Sequence, residues 1–348
     1  MNAKISWSIG LWLVCAGGQG FAWTDLGGGD HGGSNWVIAG GALIASNHYN
    51  IGTVTIATGA TVTVSKYDGA RYGSVALNAA TITISGTLTA SGSGYSGGYG
   101  GAGGNGSSVN NSMGGSGSAG AGGSGPFAGG AGAAGPAGIV NANGGTGGVG
   151  GQGGYATNGL QGDTTTNEVL YMGSGGGGGG GGGSGYRYMT SSAGGGGGGA
   201  GYSGGGSITL IASNAIIVRG SILACGKTTG NGQQGQTGNP GYGGGGGSIM
   251  VSGQSQAGSR SDGVANECYP AGDGGNGGKG AGGGILIKAP NVDLAGATID
   301  NRGGGNTVAN GGSLKVFYLE YQGGSLTNTG RAYLKQTQPP EAGTVFEF

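Results

Sequence analysis

Residues 74–92 read SVALNAATITISGTLTASG. Within it, "TITIS" alternates apolar and β-favouring polar residues with period two, the pattern of a half-buried strand. The same texture fills residues 36–90, where "TVTIA" and "TVTVS" precede it and Gly, Asn and Asp punctuate every few residues. It returns as SITLIASNAIIVRGSILACG from Ser207, ILIKAPNVDLAGATIDNRG from Ile285 and SLKVFYLEYQGGSLTNTG from Ser313. Each unit has an alternating strand, a polar corner, a second apolar stretch and a glycine (Gly86, Gly220, Gly296, Gly324). A second glycine follows at Gly92, Gly226, Gly303 and Gly330. A repeat of roughly 20 residues made of short strands and corners is the mark of a solenoid. No helical periodicity stands outside the N-terminus. The spacing predicts an all-β chain, a parallel β-helix or solenoid; a β-sandwich is the alternative, weakened by the scarcity of hairpin signals.

Between the units lies a second texture. Of 348 residues, 102 are glycine. Glycine recurs at every third position in "GYSGGYGGAGGNG" (Gly94, Gly97, Gly100, Gly103, Gly106). It does so again at Gly114–Gly123, Gly129–Gly138, Gly144–Gly153 and Gly274–Gly283. The pure runs Gly175–Gly183 and Gly194–Gly199 satisfy any register. Period three belongs to an extended left-handed helix with no internal hydrogen bonds, whose backbone groups point to neighbours. A run of 12 residues would be roughly 37 Å long. Having only seven prolines argues against collagen. We read the arrays as an inserted polyglycine-II helix bundle; the alternative is a flexible Gly/Ser linker. The expected organisation is residues 1–22 signal peptide, 23–92 N-terminal strand region, 93–206 polyglycine-II region and 207–348 C-terminal solenoid with glycine-rich insertions.

"MNAKISWSIGLWLVCAGGQGFAW" has Lys4, an apolar run from Ile5 to Ala16 and a small-residue site, Gly20 and Ala22, before Trp23. That is the pattern of a secretory signal. The run is shorter than the roughly 20 residues that span a bilayer, and Cys15 is poorly placed for lipidation. The expected location is secreted, extracellular or cell surface. The mature chain keeps Cys225 and Cys268, which permit one disulfide closing a loop of roughly 43 residues.

Charged residues make up 7% of the chain and the formal net charge is zero. Neutrality removes a broad reason to bind nucleic acid or anionic membrane and favours self-association. Chemistry is sparse. His31 and His48 stand in no metal-ligand spacing and read as structural or solvated. "DLGGGDHGG" brings Asp25 and Asp30 onto one loop, a polar entry loop before a weak Ca²⁺ site. GxGxxG and the GxSxG of "GYSGG" arise by chance at this glycine content and lack their helix. Asp293 and Asp300 fall in one strand unit and could share a face, the one carboxylate pair relevant to a β-helical glycosidase or lyase. We expect no enzyme, no metal and no cofactor. "NEVLYM" and "YRYM" abut glycine runs, which makes Tyr171, Tyr186, Arg187 and Tyr188 contact tips or end caps of a bundle. "KVFYLEY" offers Val316, Tyr318 and Tyr321 as a self-association strand.

The arrays "GYSGGYGGAGGNG" and "GGTGGVGGQGGY" resemble the polyglycine-II sandwiches of T-even-like phage tail-fibre adhesins and of snow flea antifreeze proteins. The strand units resemble glycine-rich exported bacterial surface proteins with β-helical bodies. These resemblances rest on texture over about two thirds of the chain. The export signal, the sparse charge and the open strand edges of a solenoid without an evident polar cap lead us to expect a secreted, non-enzymatic scaffold that self-associates into fibres. The competing reading is an adhesin that presents loop tips to a cell-surface glycan or protein; an ice-binding face ranks third.

Overall fold

The computed structural model describes residues 24–102, 118–125, 168–181, 198–227, 246–251, 254–258, 275–304, 311–323, 325–327, 331–336 and 345–347. The proposed signal peptide, Tyr186, Arg187, Tyr188, Cys268 and the registers Gly129–Gly138 and Gly144–Gly153 lie outside the described residues. Among the described residues every regular element is a strand. In chain order these are β1 (Thr24–Asp25), β2 (Gly29–Asp30), β3 (Trp36–Ile38), β4 (Leu43–Ile44), β5 (Ser46–Ile56), β6 (Thr61–Val64) and β7 (Ser74–Ile84). There follow β8 (Thr87–Thr89), β9 (Ser207–Val218), β10 (Ser221–Leu223), β11 (Gly246–Val251), β12 (Gln254–Gly258) and β13 (Ile285–Lys288). The last are β14 (Asn291–Asp293), β15 (Thr298–Asp300), β16 (Ser313–Tyr318), β17 (Glu320–Gln322), β18 (Ser325–Thr327), β19 (Arg331–Gln336) and β20 (Val345–Glu347).

Two sheets hold nearly all of them. A seven-stranded sheet runs β1-β4-β6-β8-β10-β15-β18, and an eleven-stranded sheet runs β2-β5-β7-β9-β13-β16-β19-β20 with β3, β14 and β17 alongside. Pairing is parallel throughout both, except that β20 closes onto β19 antiparallel. The chain passes from the large sheet to the small one and back: β5 to β6, β7 to β8, β9 to β10, β14 to β15, β17 to β18. The repeats read in the sequence are in register, Ser74 opposite Ser207 and Ile285 opposite both Ile208 and Leu314.

Alternation explains the register. Leu77, Leu210, Ile287 and Val316 form one inward column, and Val54, Ile82, Ile216 and Val292 a second. Val62, Leu88, Ile222 and Ile299 form the facing column of the small sheet. All belong to one buried apolar cluster. Each such side chain contributes about 1.5–3 kcal/mol on burial, and a one-residue slip would turn a whole column outward.

The two kinds of corner differ. Passages from large to small sheet are short: 57–60, 85–86, 219–220, 294–297 and 323–324. Gly86 and Gly220 stack there, and a Cβ on Gly220 would lie 1.8 Å from the Gly86 carbonyl oxygen. Passages from small to large sheet are 65–73, 90–206, 224–284, 301–312 and 328–330. The glycine segments among the described residues are therefore inserted on the same side of the stack, where successive insertions meet.

Candidate functional site

On that side, five glycine-rich segments lie against one another: 94–102, 118–125, 173–181, 198–206 and 275–284. Their bonds recur every third residue. The amides of Tyr95, Gly98 and Gly101 donate to the carbonyls of Gly173, Gly176 and Gly179. Those of Gly173, Gly176 and Gly179 donate in turn to Gly205, Tyr202 and Gly199. Gly175, Gly178 and Gly181 donate to Ser124, Ala121 and Ser118, and Gly275, Gly278 and Ala281 donate to Gly180, Gly177 and Ser174. Segment 173–181 thus touches all four others, parallel to 94–102 and antiparallel to the rest. Segments from both sides of residue 206 share this one bonded body.

The spacing leaves no room for side chains. A Cβ on Gly178 would stand 1.8 Å from the Tyr99 carbonyl oxygen, one on Gly176 2.1 Å from that of Gly278, and one on Gly201 2.0 Å from that of Gly176. The number of glycine registers follows the number of neighbours. In 94–102, Gly94, Gly97 and Gly100 face 198–206, Gly98 and Gly101 face 118–125, and Ser96, Tyr99 and Ala102 point away. The central segment has neighbours on every side and every residue in it is buried; Ser174 alone departs from glycine there. Buried amides need partners, and for Gly173, Gly175, Gly176, Gly178, Gly179 and Gly181 neighbouring carbonyls supply them without side chains. A net gain of about 0.5–1.5 kcal/mol per bond against about 1–2 kcal/mol of backbone entropy per residue comes close to break-even. The lattice therefore leans on its anchors: Gly206 donates to the Ala90 carbonyl at the end of β8, and Gly283 to Ala224 beyond β10.

The predicted contact residues fare differently. Tyr171 is exposed, yet its segment is a strap rather than a free tip. Lys288 pairs with Glu168 at 2.5 Å, buried Lys315 donates to the Val169 carbonyl at 2.8 Å, and Gly284 packs beside Leu170. Val316 and Tyr318 are buried in the core, and Tyr318 stacks on half-buried Tyr321 with centroids 4.8 Å apart. β16 has β13 on one edge and β19 on the other, so this strand offers no open edge for a joint. Alternating apolar residues mark a strand without saying which edge is occupied. Asp293 and Asp300 do not share a face: β14 and β15 lie in different sheets, where Asp293 pairs with Arg219 and Asp300 with Arg302. Cys225 is a half-buried thiol whose Sγ lies 3.4 Å from the Asp300 carbonyl. Burial, with the nearby Asp300 charge, pushes it up to about 12, an unreactive thiol.

Two constellations escape sequence reasoning. The first is an open cleft of about 700 Å³ where the 65–73 passage meets the lattice, lined by Lys66, Tyr67, Asp68, Tyr95, Tyr99 and Ser124 among others. Tyr67 and Tyr95 meet edge-on at 5.0 Å. Asp68 accepts from the amides of Ala70 and Arg71, which hold its carboxyl below the ordinary value.

The second is at the N-terminal end of the stack. Asp25, His31 and His48 place one ligand atom each within 4.8 Å of the others. His31 Nε2 and His48 Nδ1 are 3.2 Å apart, and Trp36 lies 4.6 Å from both rings. Burial lowers the His48 pKa, against the opposing pull of Asp25. Asp30, read with Asp25 as one loop, is instead exposed and engaged by Gly32 and Asn50. No protein-family model, curated protein or solved structure matches this chain.

Proposed function

We propose that this protein is an exported, non-enzymatic scaffold of the cell surface or extracellular matrix. In this reading its body is a parallel β-helix, and the glycine lattice is a polyglycine-II bundle built as one side of that helix. The observation that carries it is the burial of 173–181 on all sides with period-three bonding to four neighbours. A lattice of this kind, anchored to stacked strands, makes a stiff body with few charges to keep copies apart. Because β16 is occupied on both edges, end-to-end joining runs through the terminal members of the small sheet, β1 and β18.

Negative-stain microscopy with sedimentation of residues 23–348 tests this: rods that lengthen with concentration are expected. The tyrosine cleft favours one second reading, a glycan-binding adhesin, since exposed Tyr99 and half-buried Tyr67 and Tyr95 beside polar groups suit sugar faces. A chain that stays monomeric at high concentration, and binds a glycan array only while Tyr67 and Tyr99 are intact, would replace the scaffold by the adhesin.

A further inference from the structure

We propose that Asp25, His31 and His48 bind a divalent transition metal, zinc foremost, that staples the first strands of the stack to β5. The inference is independent of the scaffold reading.

Along the large sheet, Leu77, Leu210, Ile287 and Val316 continue one line; the residue opposite Leu77 is His48, and only Gly29, without a side chain, lies beyond it. Along the small sheet, Val64 and Ile44 are buried, and the residue that begins their line is Asp25. Both sheets thus place a metal-ligating group where the pattern calls for an aliphatic one. His31, on the β2–β3 connection, brings a third to the same point. His48 is fully buried, and burying a polar group is costly without a partner.

The geometry suits a metal. His48 Nε2 lies 2.9 Å from the Ala45 carbonyl. An N–H donated there leaves Nδ1 with its lone pair facing His31 and Asp25, the outer-shell arrangement that orients imidazole ligands. Ligands at the 2.0–2.1 Å typical of zinc, set tetrahedrally, stand about 3.3 Å apart; the two imidazole nitrogens are 3.2 Å apart. Asp25 Oδ2 is 3.9 Å from His48 Nδ1, too long for a hydrogen bond, and a small rotation would bring it to a ligand distance. Two imidazoles and one carboxylate suit zinc and its neighbours rather than calcium or magnesium, which want more oxygens. Half-exposed Asp25 and His31 leave a way in. The effect follows from where the ligands sit: β1 and β2 are two residues each, and the metal would tie both ends of this short pass to β5.

The test uses the whole chain, stripped with chelator and titrated with Zn²⁺ by calorimetry. One equivalent should bind, slowing amide exchange over 24–30. Affinity should fall more than about a hundredfold in His31→Ala and Asp25→Asn, beyond the range usual for outer-shell changes. The chain has two histidines, so X-ray absorption of the zinc-loaded wild type reads the site without any variant: two imidazoles and oxygen are expected. Absence of binding at about 100 µM zinc, unchanged affinity in both variants, or a sulfur-ligated spectrum would overturn the proposal.

Discussion

The column Leu77, Leu210, Ile287 and Val316 and the run Gly173–Gly181 are both buried, and they exclude water by opposite means. The column fills space with side chains and leaves its backbone to the ladder. The glycine run has almost no side chains, and its neighbours come so close that backbone fills the space. Apolar burial contributes a surplus, whereas glycine ordering roughly cancels its own hydrogen bonds. The strands should therefore stand without the lattice, and the lattice should not stand without the strands.

That asymmetry can be broken by substitution. Leu210→Ala opens a cavity in the column and should cost about 2–5 kcal/mol, with strands and lattice lost together in one thermal transition. Gly178→Ala puts a methyl 1.8 Å from the Tyr99 carbonyl oxygen. It should cost about 1–3 kcal/mol, the usual range of overpacking, or more. Here limited proteolysis should cut the glycine segments while β7 and β9 stay protected. Simultaneous loss of both regions in Gly178→Ala would show that the strands depend on the lattice. Tyr99→Ala, on the outward register, is the control and should leave both intact.

A smaller effect sharpens the boundary between the regions. Asp300 ends β15, where the chain enters the lattice side. Burial pushes its carboxyl up, and its bonds from the Arg302 side chain and amide outweigh that, so it sits below its ordinary 3.8. A lowered carboxylate pKa adds stability that is present above 3.8 and lost as pH falls through the lower folded value. Wild type should lose thermal stability below about pH 4 more steeply than Asp300→Asn; parallel curves would remove Asp300 from the account. Smallest is Arg219→Ala, which breaks a largely exposed pair with Asp293 and should leave the thermal midpoint indistinguishable from wild type.

The strand units were legible because alternation and register are the same fact: residues that repeat in sequence sit opposite one another, Ser74 beside Ser207. The period-three glycines were legible too, since a backbone that must approach another cannot carry a Cβ there. What the sequence did not show was adjacency. Nothing in "KVFYLEY" says that β19 pairs along its first four residues or that the 168–172 strap bonds to Lys315. Asp25, His31 and His48 converge only once β1, β2 and β5 stack. The signal that could have found them is His48 standing opposite Leu77, but β5 shifts register between His48 and Ile51 and hides the alignment.

The most direct test of the account is hydrogen exchange across 173–181, read by mass spectrometry and referenced to β7 and β9. A bonded lattice predicts slow exchange at Gly175, Gly176, Gly178 and Gly179, whose amides donate to neighbouring segments, with protection that disappears in Gly178→Ala. Exchange of these amides as fast as in a free glycine peptide would mean that the arrays are linkers, and the account of this protein as a lattice hung on strands would be wrong.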